Sequence, residues 1–206
     1  MSTTGSRQII EALSLTRAAF SEYGDVIETD GARHFAINGG RATRFDDLAT
    51  VDTAEAGGLP SISIFRSVPV PHPVVLSVME RHPWASQAII PMNGAACLIV
   101  VAPPGPFDAS RIRAFLAGPG QGVNYRRGVW HHPLLALHQT GDFLVVDRKG
   151  AGENCEVVDL DPTMQITVTL PVAAIRGSRQ LSNESQESDF VGKSNAAAPS
   201  KSDTSA

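Results

Sequence analysis

Residues Gln121 to Leu137 read QGVNYRRGVWHHPLLAL, and nine consecutive positions within them hold Asn124, Tyr125, Arg126, Arg127, Trp130, His131 and His132. Imidazole titrates near neutrality, so a histidine here can take or give a proton at ordinary pH. In an extended strand successive side chains leave on opposite faces, so His131 and His132 cannot grip one ion side by side. An HxH followed by Glu, a usual metal signature, is absent. The favoured reading puts one histidine in a pocket as a general acid or base, with the other as a structural hydrogen-bonding partner. Ligation of a metal by one of them with a distant ligand is the second reading, and two structural histidines is the bland one. Which of the two faces inward stays open.

Arginines supply the second chemical signal. Arg66 closes SISIFR (61–66), Arg81 ends the segment before Pro83, Arg126 and Arg127 sit inside the histidine stretch, and Arg148 closes VVDR. A guanidinium in a cavity suits a carboxylate, because its planar fork makes two parallel charge-assisted hydrogen bonds. Arg66 and Arg148 are the candidates for that role, whereas Arg126 and Arg127 read as solvated or salt-bridged. Gln87, in phase with Ile89, can place an amide inside, or serve only as a satisfied core group. Asp147 leaves its strand opposite Arg148, so the two serve different faces. Tyr125 and Trp130 read as walls. No serine or cysteine sits in a recognisable nucleophile motif, so covalent acyl chemistry has no support.

These side chains need elements to carry them. SISIFR has a clear period of two that sets Ile62, Ile64 and Arg66 on one face, and the isoleucines are expected to take Arg66 inward. Residues 73–82 read as a helix with proline at its first position, stopped before Pro83 and delivering Glu80, Arg81 and His82 at its end. Strands are expected at 87–91, 95–102, 111–116, around 131–138, at 142–148 and at 155–160. Upstream, Ile9 to Leu15 suits a short strand, and Thr16 caps a helix over RAAFSEY that stops at Gly24. Residues 25–38 alternate weakly up to a Gly39-Gly40 turn, and 41–52 read as polar loop with a helical turn. Short strands at this spacing predict a mainly β barrel or sandwich with a few short helices. One domain is expected over 7–175, followed by a serine-rich, disordered tail over 176–206.

Composition narrows the function classes. With 206 residues, 42% apolar and 18% charged, and a net charge of −4, the chain reads as globular and lacks a basic face for nucleic acid. Its longest clearly apolar run, Ala95 to Ala102, is too short to span a bilayer, and no basic-then-apolar leader opens the chain. A cytoplasmic location is the expectation, with Cys97 and Cys155 reduced and structural.

Six stretches carry a resemblance: AFSEYGDVIE (19–28), INGGRATRFDDLA (37–49), SISIFR (61–66), ERHPWASQAIIPMNG (80–94), QGVNYRRGVWHHPL (121–134) and FLVVDRKGAGENCEV (143–157). In this order they resemble the ureidoglycolate lyase family of allantoin degradation, over roughly Leu15 to Ile166. The resemblance implies a cupin-like β-barrel, a homodimer, and the splitting of ureidoglycolate into glyoxylate and urea. It also implies, for some members, nickel or another divalent ion. That substrate is a carbinolamine bearing a carboxylate, so its elimination needs a base, an acid and a cation, and no nucleophile. On this reading His131 or His132 moves the proton and Arg66 or Arg148 binds the carboxylate, while Tyr125, Asn124, Gln87 and His82 orient the ureido group. The alternatives are a hydrolase that releases ammonia from the same substrate and a non-catalytic small-acid-binding cupin.

Overall fold

The computed structural model describes residues 7–171, so the expected tail and the last residues of the expected domain lie outside the described residues. In chain order the strands are β1 (Gln8–Glu11), β2 (Leu13–Ser14), β3 (Gly24–Ile27), β4 (His34–Ile37), β5 (Ala42–Phe45), β6 (Leu59–Ser67), β7 (Val74–Val75), β8 (Val78–Arg81), β9 (Gln87–Pro91), β10 (Cys97–Ala102), β11 (Arg113–Ala117), β12 (Gly122–Tyr125), β13 (Trp130–His131), β14 (Leu135–Ala136), β15 (Gly141–Lys149), β16 (Glu156–Asp159) and β17 (Ile166–Thr169). The one α-helix among the described residues, α1 (Arg17–Phe20), is capped as its sequence suggests, the Thr16 hydroxyl accepting from the Ala19 N–H at 3.2 Å. It is shorter than expected, because residues 21–23 continue as turns and β3 starts at Gly24.

One sheet has the order β3-β12-β9-β15-β6, and the sheet opposite it runs β16-β8-β13-β10-β11-β2, with β14 added on β10. The core joins Val26, Ile89, Val123, Phe143 and Val145 of the first to Cys97, Ile99, Val101, Phe115 and Ala117 of the second. The fold is therefore mainly β and cupin-like, with two facing sheets rather than one closed ladder. Removing a side chain such as Phe143 or Val145 from water contributes about 1.5–3 kcal/mol, so this interface dominates the stability. Phe20 packs its ring on Tyr23, Phe115 and Tyr125, which fastens α1 to both sheets. A smaller sheet, β1-β17-β7, and the hairpin β4-β5 complete the described chain.

Register decides what reaches the interior. Ser63, Val145, Ile89 and Val123 pair in one row across the first sheet, while Ser61 pairs with Asp147 and Gln87 with Tyr125 one row further along. Continued one residue past Val146–Ala88, the same register sets Asp147 beside Gln87. Directly paired residues share a face, so the inner surface changes from apolar to polar within one step. On the opposite sheet His131 pairs with both Val101 and Glu80, which brings it inward with the core residue Val101.

Three expectations are corrected. Residues 73–82 form β7 and β8 rather than a helix, because the β-branched Val74, Val75 and Val78 find ladder partners in β17 and β16. The alternation of SISIFR is as expected, but its faces are exchanged. Ser61, Ser63 and Phe65 pair with the inward Asp147, Val145 and Phe143, leaving Ile62 and Ile64 72% and 50% exposed on the outer face, with Arg66 beside them. Residues 41–52, read as loop, include β5.

Candidate active site

β8 sends Glu80 inward, and His82, two residues on, returns to the same side at its end. In a helix these two side chains would diverge; in an extended chain the spacing brings them together. The imidazole of His82 lies 5.1 Å, centroid to centroid, from that of His131, and Glu80 Oε1 is 3.5 Å from His131 Nε2. Donor atoms of all three residues fall within 4.8 Å of one another.

Both rings are oriented by backbone. His82 Nδ1 is 2.7 Å from the Asn154 carbonyl oxygen and His131 Nδ1 is 3.0 Å from that of Val129. A carbonyl only accepts, so each Nδ1 carries the hydrogen and, in the neutral ring, each Nε2 keeps its lone pair. Both Nε2 atoms are buried and have no hydrogen-bond partner. An unanswered polar atom of this kind costs about 1–3 kcal/mol, and two of them face a carboxylate. The cluster is built to hold positive charge, either a proton or a metal ion. Burial pushes the His82 pKa down, and the nearby His131 adds to the shift. The Glu80 carboxyl is held below its ordinary range chiefly by His131, against the opposing effect of burial.

Two imidazole nitrogens and one carboxylate are a donor set that suits divalent nickel, zinc or iron, with the backbone carbonyls behind the rings fixing each tautomer. The orphaned Nε2 atoms meet that requirement, so Glu80, His82 and His131 fit a metal of the kind the resemblance implies. The two neighbouring histidines do not share it: His132 lies beyond β13, with its Nδ1 at 2.8 Å from the Pro133 carbonyl oxygen. Burial lowers its pKa as well.

Two cavities flank the cluster. One, of about 450 Å³, is bounded by Glu80, His131, Ile89 and Phe65. The other, of about 250 Å³, is bounded by His82, Ser86, Asp147, Arg148 and Asn154. Gln87 lines both. Tyr125 stacks on His131 at 4.3 Å with 12° between the planes, a wall for that ring.

Of the residues singled out from sequence, His131, His82, Gln87 and Tyr125 converge here. Asn124 does not: its amide donates to Asp25 Oδ2 and to the Thr50 carbonyl, each at 3.0 Å, on the other side of the sheet. Arg66 borders the larger cavity, but its 73% exposed guanidinium grips Asp142 with bonds of 2.6 and 2.7 Å. Arg148 borders the smaller cavity, with its N–H groups given to the carbonyls of Glu55, Ala56 and Ala151 and its guanidinium over the Trp84 ring. Sequence reading missed Glu80 as a site residue. The signal was present in the Glu-x-His spacing, which has meaning only once residues 78–82 are read as extended.

A cupin-like fold with a two-histidine, one-carboxylate cluster between two cavities, one mainly apolar and one of mixed lining, defines a small-molecule enzyme site. The model of the ureidoglycolate lyase family matches residues 7–167. Curated relatives include a ureidoglycolate lyase of Burkholderia cepacia, 53% identical over 74% of this chain and 87% of its own length. Another, of Pseudomonas syringae pv. tomato, is 54% identical over 69% of this chain and 84% of its own. Among solved structures, a dTDP sugar isomerase from Desulfovibrio desulfuricans matches with a TM-score of 0.43 at 14% identity, covering 68% of this chain and 87% of that one. The chain belongs to the ureidoglycolate lyase family.

Proposed function

We propose that this protein is a ureidoglycolate lyase of allantoin and purine catabolism, eliminating urea from ureidoglycolate to leave glyoxylate. The observation that carries the reading is the pair of buried, partnerless Nε2 atoms, close to Glu80, on residues that line two adjoining cavities. In the elimination the substrate hydroxyl loses its proton as the C–N bond breaks, the C–O bond becomes a carbonyl, and the departing nitrogen gains a proton. His131, stacked on Tyr125 and tied to Val129, is the proton carrier. Its tautomer is fixed by the Val129 carbonyl, and Glu80 Oε1 lies 3.5 Å from its Nε2. His82 lies beside it, 5.1 Å from ring centre to ring centre, and the Asn154 carbonyl holds its ring in place. Gln87 reaches both cavities and orients the substrate. In place of that proton on His131, a divalent ion held by Glu80, His82 and His131 would supply Lewis acidity toward the hydroxyl and charge for the carboxylate.

Release of urea and glyoxylate in equal amounts from ureidoglycolate tests the reading. Ammonia in place of urea would make the enzyme a hydrolase, and binding without turnover a sensor. We further propose a homodimer. Ile62, Ile64 and Val68, along and just beyond β6, an edge strand among the described residues, expose an apolar strip that a second copy would cover. A cytoplasmic location is consistent with Cys97 and Cys155, neither of which is in a disulfide, and none of the described helices is long and apolar enough to cross a membrane.

A further inference from the structure

The smaller cavity holds a carboxylate that the chemistry above leaves unused. Asp147 points inward from β15 in the row that contains Ser61, Gln87 and Tyr125, and its neighbour Arg148 leaves on the other face. Among the described residues Asp147 has no ion-pair partner and accepts no side-chain hydrogen bond. Arg148, which also borders this cavity, gives its N–H groups to the carbonyls of Glu55, Ala56 and Ala151 and none to Asp147. Gln87 is largely buried, but its amide reaches the cavity and has no side-chain partner among the described residues. A carboxylate is acceptor-only and an amide can donate. A half-buried carboxylate beside an uncommitted amide therefore calls for a ligand that brings N–H donors to the first and an acceptor to the second.

We infer that Asp147 and Gln87 form a subsite for a ureido group. In a monosubstituted urea one N–H on each nitrogen points away from the carbonyl oxygen, and the two are parallel. They match the two oxygens of a carboxylate as the fork of a guanidinium does, while the urea oxygen accepts from the Gln87 amide. Gln87 borders both cavities, so a ligand anchored at Asp147 extends past it toward His131. The assignment rests on the lyase reading for the identity of the natural ligand. It adds the reason the site would distinguish a ureido leaving group from an amide or a plain amine of similar size: only the ureido group fills both oxygens of Asp147.

Two stable ligands test this without turnover. N-carbamoylglycine carries the terminal NH2, and N-acetylglycine places a methyl group there and is otherwise the same shape. By calorimetry on the full chain, the wild type is expected to prefer N-carbamoylglycine by roughly ten- to a hundredfold, the range of a hydrogen bond to a charged group. Asp147→Asn should shrink that preference to about twofold or less while leaving affinity for N-acetylglycine nearly unchanged. A preference that survives Asp147→Asn overturns the assignment, and so does an equal loss of both ligands. If Asp147→Asn fails to fold, the wild type alone decides, because no preference between the ligands also overturns it. Failure of the lyase reading shows separately, as ureidoglycolate left unconverted by a wild-type protein that still selects the carbamoyl ligand.

Discussion

Two cavities of nearly equal size, about 430 and 450 Å³, lie in different parts of this molecule. The first is bordered by Arg17, Arg33 and Arg126 and by Asp25, Asp46 and Asp47, and by count of charges it looks the more like a binding site. Most of those charges are answered internally. Arg17 donates to the Asp30 and Glu28 carbonyls, Arg33 pairs with Asp46 at 3.3 Å, Arg126 reaches the Ser21 carbonyl, and Asp25 takes the Asn124 amide. The second has fewer charged groups, yet it borders the cluster whose two Nε2 atoms have no partner. A wall whose groups satisfy one another is scaffold. An unanswered buried group beside a cavity is open to a ligand, whereas the third such atom, Asn124 Oδ1, belongs to a residue that borders neither cavity.

That contrast can be broken by experiment. His131→Gln and His82→Gln should each lower kcat/KM for ureidoglycolate by roughly 10²–10⁴-fold, the usual worth of a positioned proton carrier, with circular dichroism unchanged. Activity near the wild-type value in both would remove the cluster from the chemistry. Glu80→Gln should weaken binding of nickel or zinc to the metal-free protein by about 10- to 100-fold by calorimetry, on the scale seen when ligand support is lost. Equal affinity would leave the proton as the only cation the cluster holds. In the first cavity, Arg33→Ala and Arg126→Ala should change kcat/KM by less than about twofold and stability by less than about 1 kcal/mol, as for exposed pairs generally. Arg66→Ala belongs with them, since its guanidinium is already bound to Asp142 in solvent.

The smallest expected effect is in pH. Burial lowers the pKa of His82 and His132, so the unfolded chain takes up their protons first as pH falls. Their contribution to stability is complete above the unfolded value of about 6.5 and is lost as pH drops toward the depressed values. Chemical denaturation at a series of pH values should show this slope, and His132→Gln should reduce it without the loss of turnover expected for His131→Gln.

Much of the fold was legible because it depends on local pattern. Five of the six expected strand segments, the Thr16 cap and the alternation of SISIFR are set by residue type and spacing, whereas the stretch around 131–138 is two short strands, Trp130–His131 and Leu135–Ala136. What sequence could not fix was the facing of β6, because which side of an edge strand meets the core depends on a register with β15, a strand some eighty residues later. Arg66 was assigned to the interior for that reason. Likewise, the choice between His131 and His132 was settled by the pairing of His131 with Val101 and Glu80, long-range contacts that leave no local trace. Glu80 and Asp147 were visible in the sequence but lacked a reason to be chosen until the ladder partners of β8 and β15 were known.

Alternation along β8 also governs how this protein tolerates changes in length. Arg81, between Glu80 and His82, points away from the cluster to bind Glu156 and the Gly105 carbonyl and to lie over the Trp130 ring at 4.6 Å. Removing or adding one residue there would exchange these roles, burying a guanidinium among the imidazoles and turning an acid or a histidine out to solvent. Loss of a single codon in β8 should thus be more damaging than most substitutions in it.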